Sequence, residues 1–78
     1  MECTIAGCQF KPVIGDVEQN ITTIREITES LPEPVEIAVF PELCVSGYDL
    51  EAAVSTATPI PGPITDQLKR IAASTDVT

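Results

Sequence analysis

The sequence predicts an α/β protein built on a parallel β-α-β unit, with a further helix after it. Two short apolar runs, at residues 3–10 and 35–40, are typical of strands, and the segment between them has the apolar period of an amphipathic helix. Because the strand, the helix and the second strand follow one another through short loops, we expect adjacent parallel strands joined by a right-handed crossover.

The first strand and the first helix are each marked by local pattern. Residues 3–10 (CTIAGCQF) form an apolar run that predicts a buried strand. Asp16 has the position of a helix N-cap, and Gln19, three residues on, that of its partner in a capping box. The helix is predicted over residues 17–31, and its apolar stripe consists of Val17, Ile21, Ile24, Ile27 and Leu31.

The second strand and its following loop are bounded by prolines. Pro32 and Pro34 end the first helix, and Pro41 ends the strand. Residues 35–40 (VEIAVF) lack clean alternation, as expected when both faces of a strand are covered. Residues 42–49 are predicted to form a loop with Gly47 as a turn residue. Residues 49–54 can form a short helical turn that is capped by Asp49.

The last third of the chain predicts one more helix. Residues 59–63 (PIPGP) are too rigid and too poor in N–H donors for a helix or sheet, but Pro63 suits the first turn of a helix. Lys69 and Arg70 are placed near its end, where they would complement the helix dipole. Residues 77–78 have the character of another strand. The apolar face of this third helix consists of Ile64, Leu68, Ile71 and Ala72.

Composition excludes several classes of function. Twelve acidic residues against four basic ones give a net charge of -8, which argues against a nucleic-acid or anionic-membrane partner. There is no histidine, and the three cysteines lack the spacing of a zinc site or disulfide framework, so neither metal nor cofactor is expected. Without a secretory signal or a membrane-length apolar run, a cytoplasmic location is expected.

Glu42 is the candidate catalytic residue. It follows the second strand after one proline, at the edge where open parallel sheets bind their ligands. A carboxylate held there and partly desolvated would have a raised pKa, which suits general acid-base catalysis. Position alone leaves open that Glu42 caps the following turn or faces solvent.

Residues 40–48 (FPELCVSGY) resemble the first active-site motif of the nitrilase (carbon-nitrogen hydrolase) superfamily, which has the form F-P-E-x-x-x-x-G-Y. The resemblance extends over essentially all 78 residues. Three further features fit the family in order: a first strand that ends in Gln9, a G-D-x-x-x-N helix start at Gly15, Asp16 and Asn20, and a P-G-P bend at residues 61–63.

The resemblance implies a Glu-Lys-Cys hydrolase on a four-layer α-β-β-α sandwich. Residues 1–78 would be the N-terminal part of that single domain, ending before its third strand. In the family, the Glu is the general base towards a cysteine thiol, which attacks an amide or nitrile carbon, and a lysine stabilises the tetrahedral intermediate. Glu42 takes the place of this Glu. The family's Lys and Cys would lie beyond Thr78, so this chain alone is expected to be inactive.

The remaining candidates within the chain are assigned no catalytic role. Lys11 and Lys69 lie outside the family's lysine motif and are expected to be solvated. Cys44 occupies a variable position of the Glu motif, and Cys3 and Cys8 are expected to act as small hydrophobes in the first strand. Two residues are expected to shape the loop behind Glu42, namely Gly47 and Tyr48.

The resemblance implies a small-molecule amide or carbamoyl substrate rather than a nitrile, and a homo-oligomer for the full-length family member. Two alternatives stay open. One is the glutaminase domain of a glutamine-dependent NAD synthetase, which shares the Glu motif. The other is a non-catalytic acidic α/β interaction module, although its sheet would then have only two or three strands and open edges, which proteins usually protect.

Overall fold

The computed structural model describes residues 2–78 and has the predicted α/β class. Its two strands pair in parallel across a helical crossover, which confirms the β-α-β unit. In chain order the elements are β1 (Thr4–Gly7), α1 (Val17–Ser30), β2 (Val35–Val39), α2 (Leu50–Thr56) and α3 (Pro63–Thr75).

A third strand begins to pair with β2 on the side away from β1. On one side, β2 pairs with β1 so that Ala6 lies opposite Ala38, with a register irregularity between Thr4 and Ile5. On its other side, the N–H of Thr78 donates to the carbonyl of Glu36 at 2.9 Å, and the N–H of Ala38 donates to the carbonyl of Thr78 at 2.9 Å. This is the bonding pattern of a parallel strand, as predicted for residues 77–78.

Both strands are shorter and more exposed than the apolar runs predicted. The side chains of Ile5 and Val39 are 59% and 54% exposed, so the expectation that both faces of the sheet are covered is wrong for the part of the chain that the structure describes. The physical reason is that α1 and α3 both pack on the face that carries Ala38 and Phe40. Among residues 2–78, no layer covers the opposite face.

Helix α1 begins where predicted, but its cap is simpler. The Asp16 carboxylate accepts from the backbone N–H of Gln19 at 3.1 Å, as an N-cap should. The Gln19 side chain does not complete a capping box, because its amide donates to the Thr23 hydroxyl at 3.4 Å instead. The helix ends at Ser30, one residue early, since Leu31 is already extended.

Helix α2 extends past its predicted end, and α3 extends past the two basic residues that were placed near its end. Asp49 caps α2 by accepting from the N–H of Ala52 at 3.2 Å, and α2 continues to Thr56. At the start of α3, the Thr65 hydroxyl accepts from the N–H of Gly62 at 2.8 Å. Helix α3 runs on to Thr75, which leaves Lys69 and Arg70 in its middle, so their predicted interaction with the helix dipole is wrong.

The core lies between the sheet and the two long helices. Ile21 and Ile24 of α1 pack against Ile71 of α3, and Ile21 is only 1% exposed. Phe10 and Phe40 close this core with an edge-to-face contact, their ring centroids 6.3 Å apart. Most of both predicted apolar faces therefore packs in this core, namely Val17, Ile21 and Ile24 of α1 and Ile64, Leu68 and Ile71 of α3.

Two negative findings apply to residues 2–78. None of the helices there combines the length and the hydropathy that crossing a bilayer requires. In the same residues, no three His, Cys, Asp or Glu side chains gather in the way that metal ligands do. The three thiols are free.

The burial of Ile21 generates a stability prediction. We expect Ile21→Ala to lower the free energy of unfolding by about 2–5 kcal/mol, because it removes a fully buried side chain and leaves a cavity. Val54→Ala, at a side chain that is 73% exposed, is the matched control and should change it by less than about 0.5 kcal/mol. Urea unfolding followed by circular dichroism measures both, and equal midpoints would contradict the described core.

Candidate functional site

The candidate site lies at the carboxyl ends of the two strands. The ends of β1 and β2 line an open crevice of about 330 Å³. Open parallel sheets bind ligands at this edge, so the crevice lies where the sequence predicted a site. The residues that line it are Gly7, Cys8, Gln9, Val39, Phe40 and Pro41.

Glu42 comes directly after Pro41 in the sequence and begins the turn at residues 42–46. Its side chain is exposed, so the desolvation expected from its position is absent among residues 2–78. Glu42 is exposed because no other segment among residues 2–78 covers this edge of the sheet. Glu42 is not among the residues that line the crevice; it is the next residue after Pro41, which does line it.

The Glu42 loop, defined as residues 42–48, has an unusual backbone. Leu43, the residue after Glu42, lies in the left-handed region at φ 55°, which costs a residue with a side chain about 1–2 kcal/mol. Its carbonyl accepts from the N–H of Gly47 at 2.8 Å and closes the turn. Such a conformation persists only when its surroundings hold it.

Asn20 holds the loop through its buried carboxamide, which is 1% exposed. The amide nitrogen donates to the carbonyl of Val45 at 2.7 Å and to that of Val13 at 2.8 Å. The amide oxygen accepts from the N–H of Val13 at 2.7 Å. Asn20 therefore joins the first turn of α1 to two loops, one after each strand.

A second set of contacts joins the same two loops directly. The N–H of Gly15 donates to the carbonyl of Ser46 at 2.7 Å. Gly47 lies so close to the backbone of Ile14 that a Cβ atom on it would stand 2.6 Å from the Ile14 Cα. Gly47 also has φ +90°, which explains why glycine occupies this position. We call the contacts of Asn20, Gly15 and Gly47 the loop clamp.

Gly47 and Tyr48 were both expected to shape the Glu42 loop, and their surroundings differ. Gly47 is buried in the loop clamp, in agreement with its predicted part in shaping the loop. Tyr48 is 71% exposed, so the same prediction for Tyr48 is wrong for the described chain. The loop is shaped by backbone hydrogen bonds and a glycine contact rather than by an aromatic side chain.

The cysteines differ in exposure: Cys8 is buried, whereas Cys3 is exposed, so the expectation that Cys3 acts as a small hydrophobe in the first strand is wrong. Cys44 lines a mainly apolar cleft of about 430 Å³ between the Glu42 loop, α2 and α3, and burial raises the pKa of its thiol. A raised pKa disfavours the thiolate, the nucleophilic form. At Cys3, a hydrogen bond to the Glu36 carboxylate is the main cause that raises the thiol pKa. Lys11 and Lys69 are both exposed.

Sequence reasoning did not find the contacts of Asn20 or the backbone of Leu43. Asn20 was noticed only as part of a resemblance, although one signal for its burial was present. It lies four residues before Ile24 and next to Ile21, so a polar side chain stands on the apolar face of α1. For Leu43 no signal existed, because leucine has no preference for positive φ.

Comparison with known proteins identifies the family of the chain. The family model described as carbon-nitrogen hydrolase matches residues 4–78. The protein N-terminal amidase of Schizosaccharomyces pombe is 38% identical over 53 residues, which are 63% of this chain. The match spans 18% of the length of that curated relative. No solved structure matches the chain at a significant level.

The loop clamp generates a prediction at Gly47. We expect Gly47→Ala to destabilise the protein more than Gly15→Ala, as measured by urea unfolding. Both glycines have positive φ, but a Cβ on Gly15 would meet nothing within 4 Å, whereas on Gly47 it would meet the backbone of Ile14. Gly15→Ala therefore reports the conformational cost alone, about 1–2 kcal/mol. Equal losses for the two variants would show that the close contact has no energetic weight.

Proposed function

The chain belongs to the carbon-nitrogen hydrolase family, and on that basis we propose that Glu42 is the general base of an amide-hydrolysing site. The observation that carries the proposal is the position of Glu42, which begins a clamped loop beside the crevice at the carboxyl ends of β1 and β2. A general base must have a fixed position relative to the group it deprotonates, and a clamped loop supplies that.

We propose that residues 1–78 form the N-terminal part of a single hydrolase domain. The uncovered sheet face that carries Ile5 and Val39 supports this, because a further layer would bury it. The hydrogen bonds of Thr78 along β2 also support it, since they begin a further strand. In the complete domain, a layer over this face would also desolvate the edge where Glu42 lies.

In the proposed mechanism, the carboxylate of Glu42 accepts the proton of a cysteine thiol supplied by a later part of the domain. The thiolate sulfur bonds to the amide carbon, and a lysine ammonium stabilises the negative charge on the oxygen. The C–N bond breaks, and the amine leaves with the proton that Glu42 held. Glu42 then takes a proton from water, which hydrolyses the thioester and frees the acid and the thiol.

We propose an amide rather than a nitrile as the substrate class. The similarity to a protein whose name is protein N-terminal amidase supports this choice. A substrate panel tests it: a small aliphatic amide, a carbamoyl compound, glutamine, a nitrile and a peptide whose first residue carries an amide. Preference for glutamine would favour the glutaminase alternative, and hydrolysis of the nitrile alone would contradict the amide proposal.

The role of Glu42 generates a prediction for the full-length protein. Glu42→Gln keeps the size of the side chain but removes the proton acceptor, so kcat should fall by at least about 10²–10⁴-fold with little change in the urea midpoint. Glu42→Asp should also be impaired, because shortening the side chain moves the carboxylate by about 1 Å. Ammonia release under saturating substrate measures both.

The matched control is Glu51→Gln, which removes an exposed carboxylate from the first turn of α2 without touching the crevice. It should leave kcat within about twofold, because Glu51 is exposed and does not line the crevice. Near-normal kcat in Glu42→Gln would overturn the proposed base and return Glu42 to the role of a loop residue.

A separate prediction concerns the 78-residue chain by itself. We expect it to release no ammonia from any amide above background, because the proposed nucleophile and oxyanion stabiliser are not among its assigned residues. Ammonia release by the purified chain that is abolished by Cys44→Ser, but not by Cys3→Ser, would instead identify Cys44 as a nucleophile.

A further inference from the structure

The position of the Glu42 carboxylate depends on the backbone of its loop. The side chain is exposed, so packing among residues 2–78 does not orient it. The next residue, Leu43, has a strained left-handed backbone that would relax if the loop were free. Some other group must therefore hold the loop in this conformation.

Asn20 is a buried polar side chain of α1 that hydrogen-bonds to the Glu42 loop, and the same loop also packs on the helical core through Cys44 and Val45. The amide nitrogen of Asn20 donates to the carbonyl of Val45, 2.7 Å away, which lies inside the turn closed between Leu43 and Gly47. The same nitrogen donates to the carbonyl of Val13, and the amide oxygen accepts from the Val13 N–H, so both ends of the carboxamide are held. With 1% exposure, water has little access to replace it.

We propose that Asn20 is a positioning residue for hydrolysis, which orients the Glu42 carboxylate by holding the carbonyl of Val45. The inference rests on the proposed function, because it assigns Asn20 a purpose only if Glu42 is the base. The chemical requirement is two N–H donors and one acceptor on one rigid planar group. Only the side-chain amides of asparagine and glutamine offer that set, and asparagine is the shorter of the two.

Asn20→Asp removes the two N–H donors but keeps the acceptor, with almost no change in side-chain volume. The carboxylate still accepts from the Val13 N–H, but it offers no donor to the carbonyls of Val13 and Val45, and it repels both. In the full-length protein we expect kcat for ammonia release to fall by about 100-fold, as a displacement of the base by about 1 Å would produce. KM should stay within about threefold, because substrate binding is not what the clamp controls.

A double-variant comparison distinguishes positioning of Glu42 from a general structural effect. In the Glu42→Gln background the base is already absent, so adding Asn20→Asp should lower the residual kcat by less than about threefold. A further loss as large as that seen with Glu42 present would overturn the inference, since Asn20 would then act independently of Glu42.

Thr28→Ala is the matched control for the stability of α1. Thr28 is buried on the same helix, but its hydroxyl donates only to the carbonyl of Ile24, at 2.7 Å, away from the Glu42 loop. It should shift the urea midpoint and leave kcat within about threefold. A loss of kcat equal to that of Asn20→Asp would also overturn the inference, because any weakening of α1 would then suffice.

The design keeps two failures apart. Near-normal kcat in Glu42→Gln contradicts the proposed function itself. A severe loss in Glu42→Gln together with normal kcat in Asn20→Asp contradicts only the role of Asn20. Where Asn20→Asp does not fold, Asn20→Ser takes its place, because it removes the amide that holds Val13 and Val45 without placing a charge in the core.

Discussion

The buried carboxamide of Asn20 makes three hydrogen bonds that tie the start of α1 to the loops after β1 and β2. Each of these bonds satisfies a polar group that would cost about 1–3 kcal/mol if it were buried without a partner. The two backbone carbonyls and the N–H depend on the amide as much as the amide depends on them. The helix, the two strand ends and the Glu42 loop therefore keep their relative positions as one unit.

This arrangement separates the rigid part of the site from its exposed part. On the side of the loop that faces α1, the loop clamp of Asn20, Gly15 and Gly47 fixes the backbone through short contacts. By contrast, Glu42 and Tyr48 are exposed, as are the apolar residues on the outer face of the sheet. A carboxylate on a fixed backbone with an open approach can meet a group that comes from another layer, which is what a thiol supplied by a later segment would require.

The sequence predicted the class, order and approximate bounds of the strands and of the two long helices because periodic apolar residues and prolines are local signals. The prediction that both sheet faces are covered was wrong for the described residues. The apolar runs of β1 and β2 favour burial, but whether a layer covers each face depends on contacts between distant residues. The Gln19 capping box failed for a smaller reason, since the Thr23 hydroxyl one turn on competes for the same amide.

The sequence predicted the positions of some residues of the site but not the backbone conformation and contacts of others. The place of Glu42 followed from a strand that ends at a proline, and the clamp position of Gly47 from the turn propensity of glycine. The positive φ of Leu43 and the contacts of Asn20 did not follow, because both depend on how segments distant in sequence meet. The Leu43 carbonyl closes the turn with the N–H of Gly47, and the buried amide of Asn20 donates to the carbonyl of Val45 within that turn. The burial of Asn20 had one local signal, its place on the apolar face of α1, but its hydrogen-bond partners become visible only when the two segments are seen together.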